Sequence, residues 1–275
     1  MKAPVKILYI SSEITPYVPD SPSATVGRFM PQAAQENGME IRSFMPKYGC
    51  INERRNQLHE VIRLSGMNIV VNEIDRPLVI KVASISQARI QVYFIENEDY
   101  FKRKFIFRDE RDQFFPDSDE RAILFARGVL ETVKKLRWQP TIVHCSGWLA
   151  SLAPLYIKKT FKADPIFTDC KVIFSLYDEI AKERFSSGFA KKAIAGNIKP
   201  SDVELLNSPT GINLAKLAVK YADGVIYGSK NISKEISDYV SAQKIPSLAY
   251  SEITEGNTAA YTNRYIKFYG KFLKD

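Results

Sequence analysis

The chain has 275 residues, 45% of them hydrophobic, 25% charged and 12% aromatic, which suits a soluble globular protein with a sizeable core and excludes a disordered or fibrous polypeptide. Its 39 Lys and Arg against 31 Asp and Glu leave a formal charge of +8. That excess is compatible with nucleic acid, an acidic partner or a phosphorylated ligand and selects none of them; a well-solvated surface is the better reading of it.

Three cysteines, Cys50, Cys145 and Cys170, are an odd number without metal-ligand spacing, so they read as reduced thiols of a cytoplasmic protein. The apolar run after Lys2 breaks at Ser11, too early for a secretory leader. No stretch approaches the roughly 18 apolar residues of a membrane span.

In chain order, the apolar run 5–10 predicts a buried parallel strand. Pro16, Pro19 and Pro22 exclude regular helix over 15–23. A helix follows over 24–37, kinked or restarted at Pro31 and stopped by Gly38, and then a strand over 40–45. Apolar residues at strand spacing between turn residues over 60–95 predict a run of hairpins inserted into the alternation.

The charged, aromatic stretch 100–116 reads as irregular surface. Asp117 or Ser118 then caps a helix carrying Ile123, Ala126, Val129, Leu130, Val133 and Leu136. Strands over 141–144, 171–176 and 224–227 alternate with helices over 148–161, 212–221 and 232–240, and a terminal helix covers 257–273. The fold class is therefore α/β: a Rossmann-like parallel sheet with helices on both faces over 1–245, then an extension over 246–275.

In such sheets ligands bind beyond the carboxyl ends of the strands. Those ends are Ser11, Ser12 and Glu13, then His144, Ser146 and Trp148, then Tyr177 and Asp178 within 177–179, and lastly Ser229. Hydroxyls, carboxylates, an imidazole and aromatics together suit a sugar. Each residue also has a plain structural role open to it. His144 reads first as a hydrogen-bonded scaffold residue, Trp148 equally as core, and Glu13 equally as a cap.

His59 has no partners and is assigned nothing. Lys102, Arg103, Lys104, Arg108 and Arg111 alternate with Phe105 and Phe107 but also with Asp109, Glu110 and Asp112, a mixed solvated face more than a nucleic-acid patch. There is no phosphate loop, no dinucleotide fingerprint and no nucleophile elbow. The residues alone assign no catalytic group, metal ligand or cofactor.

Six stretches, taken in order, are similar to the N-terminal domain of bacterial glycogen and plant starch synthases. They are KILYISSEITPY at 6–17, FMPKYG at 44–49, FPDSDER at 115–121 preceded by Tyr100-Phe101, PTIVHC at 140–145 with Trp148, KVIFSLYD at 171–178, and YADGVI at 221–226. The resemblance runs from about residue 5 to residue 240. It implies one half of a glycosyltransferase B fold, with ADP-glucose and an α-glucan as the family's ligands. It adds Tyr17, in the opening loop, to the candidates. The full enzymes close their site between two Rossmann-like domains, and the C-terminal one supplies most ADP-glucose contacts.

The departures bear on chemistry. Where the family carries K-T-G-G-L-A-D, this chain reads PDSPSAT at 19–25, without the lysine, the glycine pair or the aspartate. Pro22 even removes a backbone donor. Of the family's H-x-H-D-W-H, His144 and Trp148 remain beside Ser146, Gly147 and Leu149; the histidine of T-I-H-N is Tyr177, and Glu13 is retained. The expectation is a synthase-like domain without independent glucosyltransferase activity that binds a glucan or a sugar nucleotide. The alternative is a subunit of an ADP-glucose-dependent α-1,4-glucan synthase completed by a separate glycosyltransferase chain or by homo-oligomerisation.

Overall fold

The computed structural model describes residues 4–273. Strand β1 (Lys6–Ser11) is followed by helix α1 (Pro22–Glu36) and strand β2 (Glu40–Pro46). The helix starts earlier than the prolines suggest. Ser21 caps it, accepting from the Ala24 N–H at 3.1 Å, and Pro22 fills the first helical position, where a missing N–H costs nothing. Pro31 does not divide the helix, which runs on as one element to its cap at Asn37.

The hairpin region comprises β3 (His59–Glu60), β4 (Met67–Val71), β5 (Ile74–Ile85) and β6 (Ile90–Glu96). Asn72 and Glu73, both at positive φ, make the two-residue turn between β4 and β5. The hairpins occur as the alternation of apolar residues predicts, but their last strand is more than an excursion. β6 pairs in parallel with β2 and continues the main sheet.

Helices α2 (Glu98–Phe101) and α3 (Ser118–Lys135) flank the irregular segment. Asp117 precedes α3 but makes no side-chain cap bond, because its carboxylate accepts from the Arg103 guanidinium instead. The buried Arg121 donates to the Tyr100 and Ile106 carbonyls, and Arg108 pairs with Glu183. Arg103 and Arg108 of the basic cluster are thus spent on holding this segment against the domain.

Strand β7 (Ile142–Ser146) comes next. The single helix predicted over 148–161 is instead a 3₁₀ turn, Trp148–Ala150, and a short helix α4 (Ala153–Lys158). Pro154 explains the break, since proline is accommodated in a first helical turn but not in an interior. Then follow β8 (Lys171–Leu176), α5 (Phe189–Ala193), α6 (Gly211–Lys220), β9 (Gly224–Tyr227), α7 (Lys234–Gln243), β10 (Ser247–Leu248) and α8 (Thr258–Gly270).

The sheet order is β10-β9-β8-β7-β1-β2-β6-β5-β3, with β4 also on β5. From β10 to β6 all pairs are parallel, and β5 is antiparallel to its neighbours. β1 is buried on both faces. Leu8 and Ile10 join the larger core with α3, α4 and α6, while Ile7 and Tyr9 join a second layer. In that layer α1 supplies Val26 and Met30, and α8 supplies Tyr261, Tyr265, Phe268 and Tyr269. Among the described residues no helix is long and apolar enough to cross a membrane.

The chain order moves outward from β1 through β2 to β6, then resumes at β7 on the other side of β1. The topological switch point therefore lies between β1 and β7, where open α/β sheets form their ligand crevice.

Candidate site at the switch point

Three of the strand-end candidates, Ser11, Ser12 and Ser146, meet directly at this point. The register sets Ser11 beside Ser146. The Ser12 N–H donates to the Ser146 carbonyl at 2.9 Å, and the Leu149 N–H donates to Ser12 Oγ at 3.1 Å. Gly147 sits at φ +80°, and a Cβ there would lie 2.5 Å from Ser12 Oγ, so this contact requires glycine. The Tyr48 hydroxyl donates to the Ser12 carbonyl at 2.7 Å. The crevice is zipped shut at its floor.

Glu13 leaves this floor toward α1. Its Oε2 accepts from Ser23 Oγ at 2.5 Å and from Ser21 Oγ at 3.1 Å. A helix N-terminus, with free N–H groups and the positive end of the dipole, is an anion site. Here the protein's own carboxylate lies at it. Burial pushes the Glu13 carboxyl up, and the two serine hydroxyls pull it back.

Glu179, beyond β8, completes an acidic pair. It is half-buried, and its Oε2 is enclosed without a hydrogen-bond partner. Burial raises its carboxyl to about 8; the charge of Glu13 pushes the same way, and the Ser23 hydroxyl opposes it. Among the described residues no lysine or arginine pairs with either carboxylate. The strand-end stretch 177–179 includes Glu179 by position, but only Tyr177 and Asp178 of it stand among the site candidates. The Ser-Pro-Ser signature at 21–23 could have flagged the N-cap that Glu13 faces.

The remaining candidates separate. Tyr177 is buried, its hydroxyl is unpartnered, and it feels the charge of both glutamates. Ser146 Oγ and Trp148 Nε1 are likewise enclosed without partners. The Trp148 ring packs among Phe107, Phe114 and Phe185 in the core. Asp178 is exposed and Ser229 half-buried. Tyr17 is buried edge-on against Phe94, and burial raises its hydroxyl to about 12.

His144 faces the α1–α8 layer. Its Nε2 is 2.7 Å from Ser175 Oγ and its Nδ1 2.7 Å from the Tyr269 hydroxyl, and burial lowers its pKa to about 3. It is a neutral scaffold residue. No group of three or more His, Cys, Asp and Glu suited to a metal occurs among the described residues.

Two cavities adjoin this edge. One, of about 20 Å³, lies among Gly147, Trp148, Tyr177, Ile180 and Ala181, which is room for about one water. The other, of about 210 Å³, lies between Pro22 and Thr25 of α1, Gly228, the segment 250–253 and Tyr261. The profile of the family described as starch synthase catalytic domain matches residues 6–246.

The chain belongs to the starch synthase catalytic domain family. It is 36% identical over 234 residues to a glycogen synthase of Pelodictyon phaeoclathratiforme, covering 84% of this chain and 47% of that protein. It is also 36% identical over 235 residues to a glycogen synthase of Chlorobaculum tepidum, covering 85% and 47%. The chain thus spans about half the length of the curated relatives it matches. The catalytic domain of starch synthase IV from Arabidopsis thaliana, solved with ADP and acarbose, superposes with a TM-score of 0.72. That match covers 90% of this chain and 52% of the other at 14% identity, and it shows the fold shared by this starch synthase domain.

Proposed function

We propose that this glycogen synthase-like domain binds a neutral α-glucan and does not itself transfer glucose. The observation that carries this is the Glu13 carboxylate lying at the N-terminus of α1, hydrogen-bonded to Ser21 and Ser23. A sugar-nucleotide diphosphate needs donors or cations at the group that leaves. Here the helix terminus already faces a carboxylate, Glu179 adds a second, and Pro22 lacks an N–H. Hydroxyls and carboxylates instead suit the hydroxyls of a sugar. The adjoining cavity of about 210 Å³ is smaller than the ~300–1,000 Å³ usual for drug-sized ligands, and it favours a single sugar ring over a nucleotide sugar.

Calorimetric titration with maltoheptaose and, separately, with ADP-glucose tests this. Heat with maltoheptaose and none with ADP-glucose is the expected result; binding of ADP-glucose overturns it.

One fact favours a second reading, a transferase that works together with a further glycosyltransferase domain: the match of residues 6–246 to the starch synthase catalytic domain. Glucose incorporation from ADP-glucose into a primer when a C-terminal half of a relative is added would establish that reading.

A further inference from the structure

The hollow of about 210 Å³ beside α1 is walled on one side by residues that the family profile does not reach. The profile ends at residue 246, whereas Tyr250, Ser251, Glu252 and Ile253 line the hollow opposite Pro22 and Thr25 of α1. Its rim gathers chain leaving the carboxyl ends of three parallel strands: α1 after β1, Gly228 after β9, and 250–253 after β10. That is the edge of an open α/β sheet where ligands bind. Gly228 sets the inner limit. A Cβ there would lie 2.5 Å from the Tyr177 ring, so only glycine lets this ring pack so close.

The segment is held through its backbone, which leaves its polar side chains available. Arg264 Nη2 of α8 donates to the Ala249 carbonyl at 3.0 Å, and Asn257 Nδ2 donates to the Glu252 carbonyl at 2.9 Å. The Thr254 N–H donates to Asn257 Oδ1 at 2.8 Å, and Ile253 packs into the layer between α1 and α8. Tyr250 is 37% exposed. Among the described residues, no hydrogen bond or ion pair engages the side chains of Thr25, Tyr250, Ser251 or Glu252.

Charge sets this hollow apart from larger ones on the molecule. Those of about 530, 460 and 370 Å³ are lined by Arg55, by Arg127 with Lys191, and by Lys182 with Arg184. Here, among the described residues, no cation lines the wall and Glu252 is its one charged group. A phosphate placed there meets that charge with nothing to offset it. A carboxylate instead accepts from two neighbouring sugar hydroxyls, and a tyrosine ring covers the apolar face of a pyranose.

We propose that residues 250–253 form the lip of a one-ring glucan subsite. Tyr250 covers the ring, Glu252 accepts from adjacent hydroxyls, and Thr25 supplies a hydroxyl from α1. This inference rests on the glucan-binding function proposed above, and it assigns the selection of a neutral sugar to a segment outside the family profile.

The test is calorimetric titration of the full chain with maltoheptaose, on the wild type and on Tyr250→Ala, Tyr250→Phe and Glu252→Gln. Both positions are exposed, so the variants should melt with the wild type. Tyr250→Ala and Glu252→Gln should each weaken binding about tenfold, the loss of one ring contact or one charged hydrogen bond. Tyr250→Phe should keep the wild-type Kd, and so should Arg55→Ala in the hollow of about 530 Å³.

Wild-type affinity in Tyr250→Ala or in Glu252→Gln overturns the lip and leaves glucan binding standing elsewhere on the chain. A loss in Arg55→Ala with none at the lip puts the sugar in the larger hollow and overturns it equally. No maltoheptaose binding by the wild type overturns glucan binding and this inference together. Should a lip variant fail to fold, nitration of wild-type Tyr250, read by peptide mass, decides. Protection by maltoheptaose supports the lip; unchanged nitration at saturating sugar refutes it.

Discussion

Ser23 donates its hydroxyl to Glu13 Oε2 at 2.5 Å, and this bond ties the first turn of α1 to the loop that leaves β1. It holds a buried carboxylate in place and fixes where the helix points. Ser21 shares the task, donating to the same oxygen while capping Ala24.

Ser23→Ala should therefore cost about 1–3 kcal/mol, because it strips a donor from a buried carboxylate and offers no replacement. Ser21→Ala removes a longer bond and a helix cap, typically worth ~1 kcal/mol. Urea unfolding of the two variants and the wild type measures both. If both are neutral, Glu13 is solvated and the pairing is not structural.

The fold was largely legible because its signals are local. β1, β8 and β9 are short apolar runs ended by turn residues, and the hairpins over 60–95 show the period of two. What failed was local chemistry with two meanings. Pro22 reads as a helix breaker yet serves as a first residue, and Pro154 sits inside a helical period that it divides. The site was legible only in position. Strand ends can be read, but which face a side chain takes depends on register, so the buried contacts of His144 and Trp148 are visible only once their neighbours are placed. Glu179 is legible as part of a strand end, but its relation to Glu13, distant in sequence, is not.

Opposed pH slopes should bracket the stability of the domain. His144 has a folded pKa of about 3 against an ordinary 6.5. Between those values the unfolded chain holds more protons, so stability falls as pH drops through that window. Glu179 is raised to about 8 from 4.5. Between those values the folded chain holds more protons, so stability falls as pH rises. Melting temperature should peak on the acid side of neutrality. Glu179→Gln should flatten the alkaline limb, and His144→Gln the acid one. A melting temperature constant from about pH 4 to about pH 9 would contradict both.

Trp148→Ala should unfold or strongly destabilise the domain, by ~3–5 kcal/mol for an aromatic truncated in a core. The ring is 3% exposed and touches Phe107, Phe114 and Phe185. Trp148→Phe should keep the fold, and maltoheptaose affinity should survive it. A normal melt for Trp148→Ala with affinity lost would instead make this ring a sugar platform.

Helix α8 should be indispensable even though the family match ends at residue 246, before it begins. Its Tyr261, Tyr265, Phe268 and Tyr269 cover Ile7, Tyr9, Ile142, Ile173 and Ile226 of the sheet. Tyr269 also holds His144 Nδ1 at 2.7 Å. Removing the helix would bare that apolar face, whereas Tyr269→Phe keeps the apolar cover and leaves only the buried His144 Nδ1 side without its partner, at a cost of ~1–3 kcal/mol. A chain cut after residue 246 should bind a hydrophobic dye and show no cooperative melt, and Tyr269→Phe should melt cooperatively a few degrees below the wild type. A cooperative melt of the shortened chain would mean that α1 alone can close this side of the sheet.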